Sequence, residues 1–124
     1  DIRFSPKHVE LYRNFSTKIW NATRFCEHHG VRIQTDLAVD QITQPINRWL
    51  ILETQGLLEK LRATFETCRF DEAATALYQY IWGTVCDWFI ELSKPVLEGS
   101  DEALKAETKA TLGWALGLIR SCPF

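Results

Sequence analysis

The chain has 124 residues, 46% of them apolar and 24% charged, and carries a formal net charge of −2. That is one domain's worth of polypeptide with enough apolar side chains for a single core, and the absence of low-complexity or like-charge runs excludes a disordered tail. A near-neutral sum excludes a protein coated in basic surface, and no apolar run approaches the roughly 20 residues that cross a bilayer, so neither a membrane span nor a secretory leader is expected.

The charge is unevenly placed. Residues 1–34 hold six Lys or Arg against three acids, whereas the remaining 90 hold eight against thirteen. An anionic partner is therefore expected at the basic end.

Ser5-Pro6 reads as a helix start, with Ser as cap and Pro where its missing N–H costs nothing, and Gly30 reads as a left-handed stop. This predicts a first helix over Pro6 to His29 with Tyr12, Phe15, Ile19, Ala22 and Cys26 as its core stripe. A second stripe on the same helix holds Lys7, Asn14, Lys18, Asn21 and Phe25, spaced by 7, 4, 3 and 4, so that all five share one side. Two ammonium groups, two amides and one aromatic ring suit phosphates, base edges and an unpaired base. The same inventory also suits an ordinary solvated helix face with one apolar residue left over.

Residues 31–44 lack a helical period and read as a long connection with Leu37 and Val39 tucked inward. A second helix is expected from Thr43 or Gln44 to about Cys68, with Pro45 in its first turn, Ile46, Leu50, Leu57, Leu61 and Phe65 buried, Trp49 widening the stripe, and Gly56 marking a close helix approach. The stretch Phe70 to Lys94 is the most apolar, with Ala74, Leu77, Tyr78, Ile81, Val85, Trp88, Phe89 and Leu92 on one stripe and Trp82, Cys86 and Ile90 beside it. It reads as the central helix of the fold, capped by Asp71, stapled by Phe70 and ended by Pro95. Asp87 and Glu91 on so apolar a helix need cations, and Arg13 and Arg24 of the first helix are the expected partners. A last helix starts at a Ser100 cap, faces Leu104, Thr108, Leu112, Ala115, Ile119 and Cys122 inward, and leaves Leu116 and Leu118 off the stripe, as in a helix missing a neighbour. Four long helices without strand signals give an all-α antiparallel helical bundle, a single domain over residues 1–124.

The four cysteines fall one per predicted helix with no CxxC pair and read as small hydrophobes in a reduced core. Two disulfides, or a zinc site at Cys26, His28 and His29, are the alternatives. No Gly-rich phosphate loop, HExxH or GxSxG occurs, and Cys26 with His28 or His29 is badly aimed for a nucleophilic pair, so the chain reads as a binding surface without an active site of its own. A secreted four-helix ligand would also account for the length, the cysteines and the sequons at Asn14 and Asn21.

Two long motifs decide between these readings. YRNFSTKIWNATRF, in the first helix, closely resembles the YRNFxxKLWNAxRF pattern that opens the anticodon-binding domain of valyl-tRNA synthetases and their class I relatives. FDEAATALYQYIWGTVCDWFIELSKP is similar to the same family's FDEA…LYxFxWxxFCDWYxExxK segment, DIRFS resembles the link from the catalytic core, and LIRSCPF resembles the point where the family's domain continues. The valyl type fits better than the isoleucyl, leucyl or other class I types. The resemblance implies a domain fragment, truncated at its C-terminal end, that holds a tRNA beside the catalytic domain of a longer cytoplasmic, monomeric enzyme. The fragment itself needs no cofactor, whereas the intact enzyme would join valine to its tRNA using ATP with Mg. The HxGH and KMSKS signatures of that chemistry are not in this sequence. Positions matching the family's anticodon contacts are Lys7, Lys18, Phe25 and Ile90, with Asn14, Asn21 and Arg24 as further candidates. Phe25 and Ile90 are expected to pack on an unstacked base and Lys18 to meet a phosphate or base edge, while Lys7 stands where some members have an arginine, which alone forks bidentately.

Overall fold

A computed structural model describes residues 6–121. The Ser5 cap and the inward Cys122 fall outside the described residues. Helices α1 (Pro6–His29), α2 (Pro45–Glu66), α3 (Phe70–Gln79), α4 (Glu91–Leu97) and α5 (Glu102–Arg120) are joined by a 3-10 turn at Val39–Gln41 and an 11-residue π-helix at Tyr80–Ile90. α3, the π segment and α4 follow without a break and form one central rod that packs against α1, α2 and α5. The fold is an all-α bundle, and no helix among the described residues is long and apolar enough to cross a membrane.

Ring contacts and hydrogen bonds give the helix directions. Phe65 meets Phe70 while Thr54 meets Tyr80, so α2 runs antiparallel to the rod. Phe15 meets Tyr78 and Trp82 while Lys18 meets Asp87, so α1 runs parallel to it. α1 and α2 therefore run antiparallel, and the irregular residues 31–44 that join them cross over α5. Gln34 donates its backbone N–H to the Gly113 carbonyl at 3.3 Å. A Cβ on Gly113 would lie 2.0 Å from the Arg32 carbonyl oxygen, and one on Gly117 2.7 Å from that of Gln34. These two glycines, a turn apart on α5, are where the backbones approach closely. Gly56 is not such a place, because nothing lies within 4 Å of where its Cβ would stand.

α1 and α2 end in the same way. Gly30 (φ 71°) and Cys68 (φ 58°) take the left-handed conformation, and Val31 and Arg69 donate back to Cys26 and Thr64, both at 2.8 Å. The cap of α5 is Asp101, one residue after the expected Ser100, and its carboxylate accepts from the N–H groups of Ala103 and Leu104. The N-cap position of α3 is Arg69, whose side chain makes no capping bond, which places the expected cap Asp71 within the first turn and Phe70 at the first position.

In α3 the inward face carries Ala73 and Ala76, and the expected Ala74 and Tyr78 are exposed, so the stripe is already offset before the π segment shifts it further. A π-helix closes i→i+5 bonds and takes more residues per turn than the 3.6 of an α-helix, so the inward face drifts along the sequence. Val85, Cys86, Phe89, Ile90 and Ser93 are buried, while Trp88 and Leu92, expected inside, are 60% and 52% exposed. Pro95 sits inside α4 rather than ending the rod. α1 is the least embedded helix: Tyr12 is 72% exposed, Ile19 is also exposed, and only Phe15, Ala22 and Cys26 of its core stripe are even half-buried. In the crossing, Ile42 is buried and Val39 exposed. Leu116 and Leu118 pack against the core, so α5 has the neighbours its sequence pattern had seemed to lack.

Polar groups also enter the interior. Asn47, Thr54, Thr108, Thr111 and Ser93 are fully buried. Glu107 on α5 reaches the start of α2, accepting from the Thr43 and Gln44 backbone N–H groups at 2.8 and 3.0 Å, from the Thr43 hydroxyl at 2.9 Å and from the Asn47 amide at 2.8 Å. It caps a neighbouring helix whose own N-cap, Gln44, makes no side-chain bond.

Candidate nucleic-acid interface

A cleft of about 350 Å³ runs between α1 and the C-terminal half of the rod, lined by Asn14, Thr17, Lys18, Asn21, Ala22 and Phe25 on one side and Cys86, Asp87, Ile90, Glu91 and Lys94 on the other. The helical repeat of α1 brings its five residues to this side, and the π segment turns Cys86, Asp87 and Ile90 toward them. The floor is apolar, from Ala22, Phe25, Cys86 and Ile90, and the rim is amide, ammonium and carboxylate.

Lys18 is the best-held polar group in it. Its side chain is only 28% exposed, its ammonium is paired with Asp87 Oδ1, and it stands 4.4 Å from the centroid of the Trp82 ring. Trp82 is itself wedged against Phe15 and Tyr78, with Phe15 and Tyr78 centroids 4.7 Å apart. Glu91 pairs with Lys94 at 2.8 Å. The partners of the two rod acids are thus lysines, Lys18 and Lys94, and not Arg13 and Arg24: the parallel docking of α1 places Lys18 beside Asp87. Two acids and two lysines balance one another within the cleft.

Phe25 is half-buried, its ring tilted 56° against His29 with centroids 4.6 Å apart, and Ile90 is buried at the floor. Asn14 and Asn21 are exposed at the rim. Five of the seven sequence-expected site residues (Asn14, Lys18, Asn21, Phe25 and Ile90) line this one cleft. Lys7 and Arg24 do not; both are exposed on α1 outside it. Thr17, Ala22 and Cys86 line it without having been singled out as site residues, and Asp87, Glu91 and Lys94 enter it as well as pairing.

A larger apolar cleft of about 570 Å³ lies on the other flank of α1, between Ile19, Val31 and Ile33, the rod residues Ile81 and Val85, and Leu116 and Ile119 of α5. Burial and the neighbouring Cys86 push the Cys26 thiol up to about 11, and burial raises Cys86 as well, so both stay protonated at neutral pH and are poor nucleophiles. Cys26, Cys68 and Cys86 are free thiols, and among the described residues no three His, Cys, Asp or Glu side chains converge as metal ligands.

Residues 47–120, which span most of α2, the rod and α5, match the model of the anticodon-binding domain of tRNA ligase. The chain is 46% identical over 120 residues to a valine–tRNA ligase of Caulobacter vibrioides, 43% over 120 residues to that of Rhizorhabdus wittichii, and 44% over 122 residues to that of Ruegeria pomeroyi. These alignments cover 96%, 96% and 93% of this chain, and the chain spans only 12–13% of the length of each relative. No solved structure matches it. With the family model covering more than half of its length, the chain belongs to the anticodon-binding domain family of tRNA ligases.

Proposed function

We propose that this chain is the anticodon-recognising part of a valine–tRNA ligase, and that the cleft between α1 and the π segment receives an unstacked base of the tRNA anticodon loop. The observation that carries this reading is the gathering of Asn14, Lys18, Asn21, Phe25 and Ile90 into one cleft from two helices some seventy residues apart in sequence. An apolar floor with an aromatic edge suits the face of a base, and amides at the rim suit its hydrogen-bonding edge. Phosphate is the less fitting occupant of the cleft itself, since Lys18 and Lys94 are each already paired with a carboxylate. The exposed Lys7 and Arg24 are better placed to follow the RNA backbone outside it. In this reading ATP and Mg, and with them valine activation, belong to the remainder of a longer ligase.

The test is tRNA affinity of the full-length ligase that contains this chain. Phe25→Ala is expected to cost about 1–3 kcal/mol of binding at fixed salt. Trp20→Ala, on α1 but outside the cleft, is expected to leave affinity unchanged. Equal affinities of the wild type and Phe25→Ala would take Phe25 out of the site.

A further inference from the structure

Asp87 has a feature that its ion pair does not use. Its Oδ1 holds Lys18, while its second oxygen makes no hydrogen bond among the described residues, and the side chain, 45% exposed, lines the cleft. The pair is fixed from a second side by Trp82, over whose ring the ammonium sits. One turn on, Glu91 repeats the arrangement, with Oε1 on Lys94 and the other oxygen unengaged. Each carboxylate is therefore balanced by a lysine and still offers an acceptor. An ionised carboxylate only accepts hydrogen bonds, and a balanced one repels a nearby RNA strand far less than a bare one.

We propose that Asp87 is a specificity-determining residue of this cleft: it selects a base whose pairing edge carries an exocyclic amino group, such as cytosine, and rejects uracil, which presents a carbonyl oxygen at the same place. Lys18 is then a positioning residue that aims Asp87. This inference rests on the reading that the cleft receives a base.

Affinities of the full-length protein for tRNA transcripts that differ by single cytosine-to-uracil changes across the anticodon loop, at constant salt, test it. In the wild type, one loop position is expected to lose on the order of 10-fold on the change. Asp87→Asn is expected to abolish that preference, because an amide turns either its oxygen or its nitrogen to the base, while release of Lys18 leaves overall affinity equal or higher for both transcripts. Asp87→Glu, still acceptor-only, is expected to retain the preference. A preference unchanged in Asp87→Asn would overturn the role of Asp87 and leave the base-binding site standing. Binding that ignores every change in the anticodon loop, or no binding at all, would overturn both.

Discussion

Gly56 and Gly113 are the same residue in two helices and are expected to respond oppositely to the same substitution. At Gly56, exposed on α2 with nothing within 4 Å, a methyl group meets open space and the helix loses a flexible residue. Gly56→Ala is expected to stabilise the fold by about 0.5–1 kcal/mol. At Gly113 the added Cβ would stand 2.0 Å from a backbone oxygen of the crossing chain, which cannot swing away as a side chain would. Gly113→Ala is expected to cost about 3 kcal/mol, the upper range for overpacking. Denaturant midpoints of the two variants check both signs. A glycine's purpose is not legible in its own helix, because the atoms that decide it belong to Arg32 and Gln34, eighty residues away.

At the scale of elements, Glu107 shows how one helix supplies what another lacks. Burial works to raise its carboxyl, but hydrogen bonds from Thr43, Asn47 and Gln44 outweigh that and hold it below the ordinary 4.5. A carboxylate depressed in the folded state contributes stability that is complete above its ordinary value and is lost as pH falls through the lower folded value. Glu107→Ala removes four hydrogen bonds, those from Gln44 and Asn47 part-buried, and is expected to cost about 2 kcal/mol at neutral pH. The deficit should shrink below pH 4.5, where the wild type loses the same contribution; melting curves of both proteins across pH 3–7 check it. The helices themselves were legible, since their spans follow from apolar spacing, Pro6, Pro45 and Gly30. The rotation inside the rod was not, because a 3.6-residue period assigns Trp88 inward, and only a count of residues per turn corrects that. The cleft was half legible: the α1 side appears as a ladder at helical spacing, whereas the rod side needed the family likeness to single out Ile90, and the pairing of Lys18 with Asp87 depends on the direction in which α1 docks.

In the whole molecule, embedding is uneven. α2 and α5 carry seven buried residues each, whereas no described side chain of α1 is fully buried, and Val9, Leu11, Tyr12, Ile19 and Trp20 are exposed. Elements with little buried apolar surface open first. Backbone amides of α1 are therefore expected to exchange hydrogen faster than those of α2 and α5, and saturating tRNA is expected to slow exchange selectively in α1 and the π segment, as mass-spectrometric exchange of the full-length protein would reveal. The close crossing at Gly113 and Gly117 anchors one end of α1, and Phe15 and Lys18 anchor its middle to the rod. Pro6 to Asn14 then form an overhang of roughly 13 Å. A small bend there would let the ammonium of Lys7 follow an arriving RNA backbone while the walls of the groove kept their spacing.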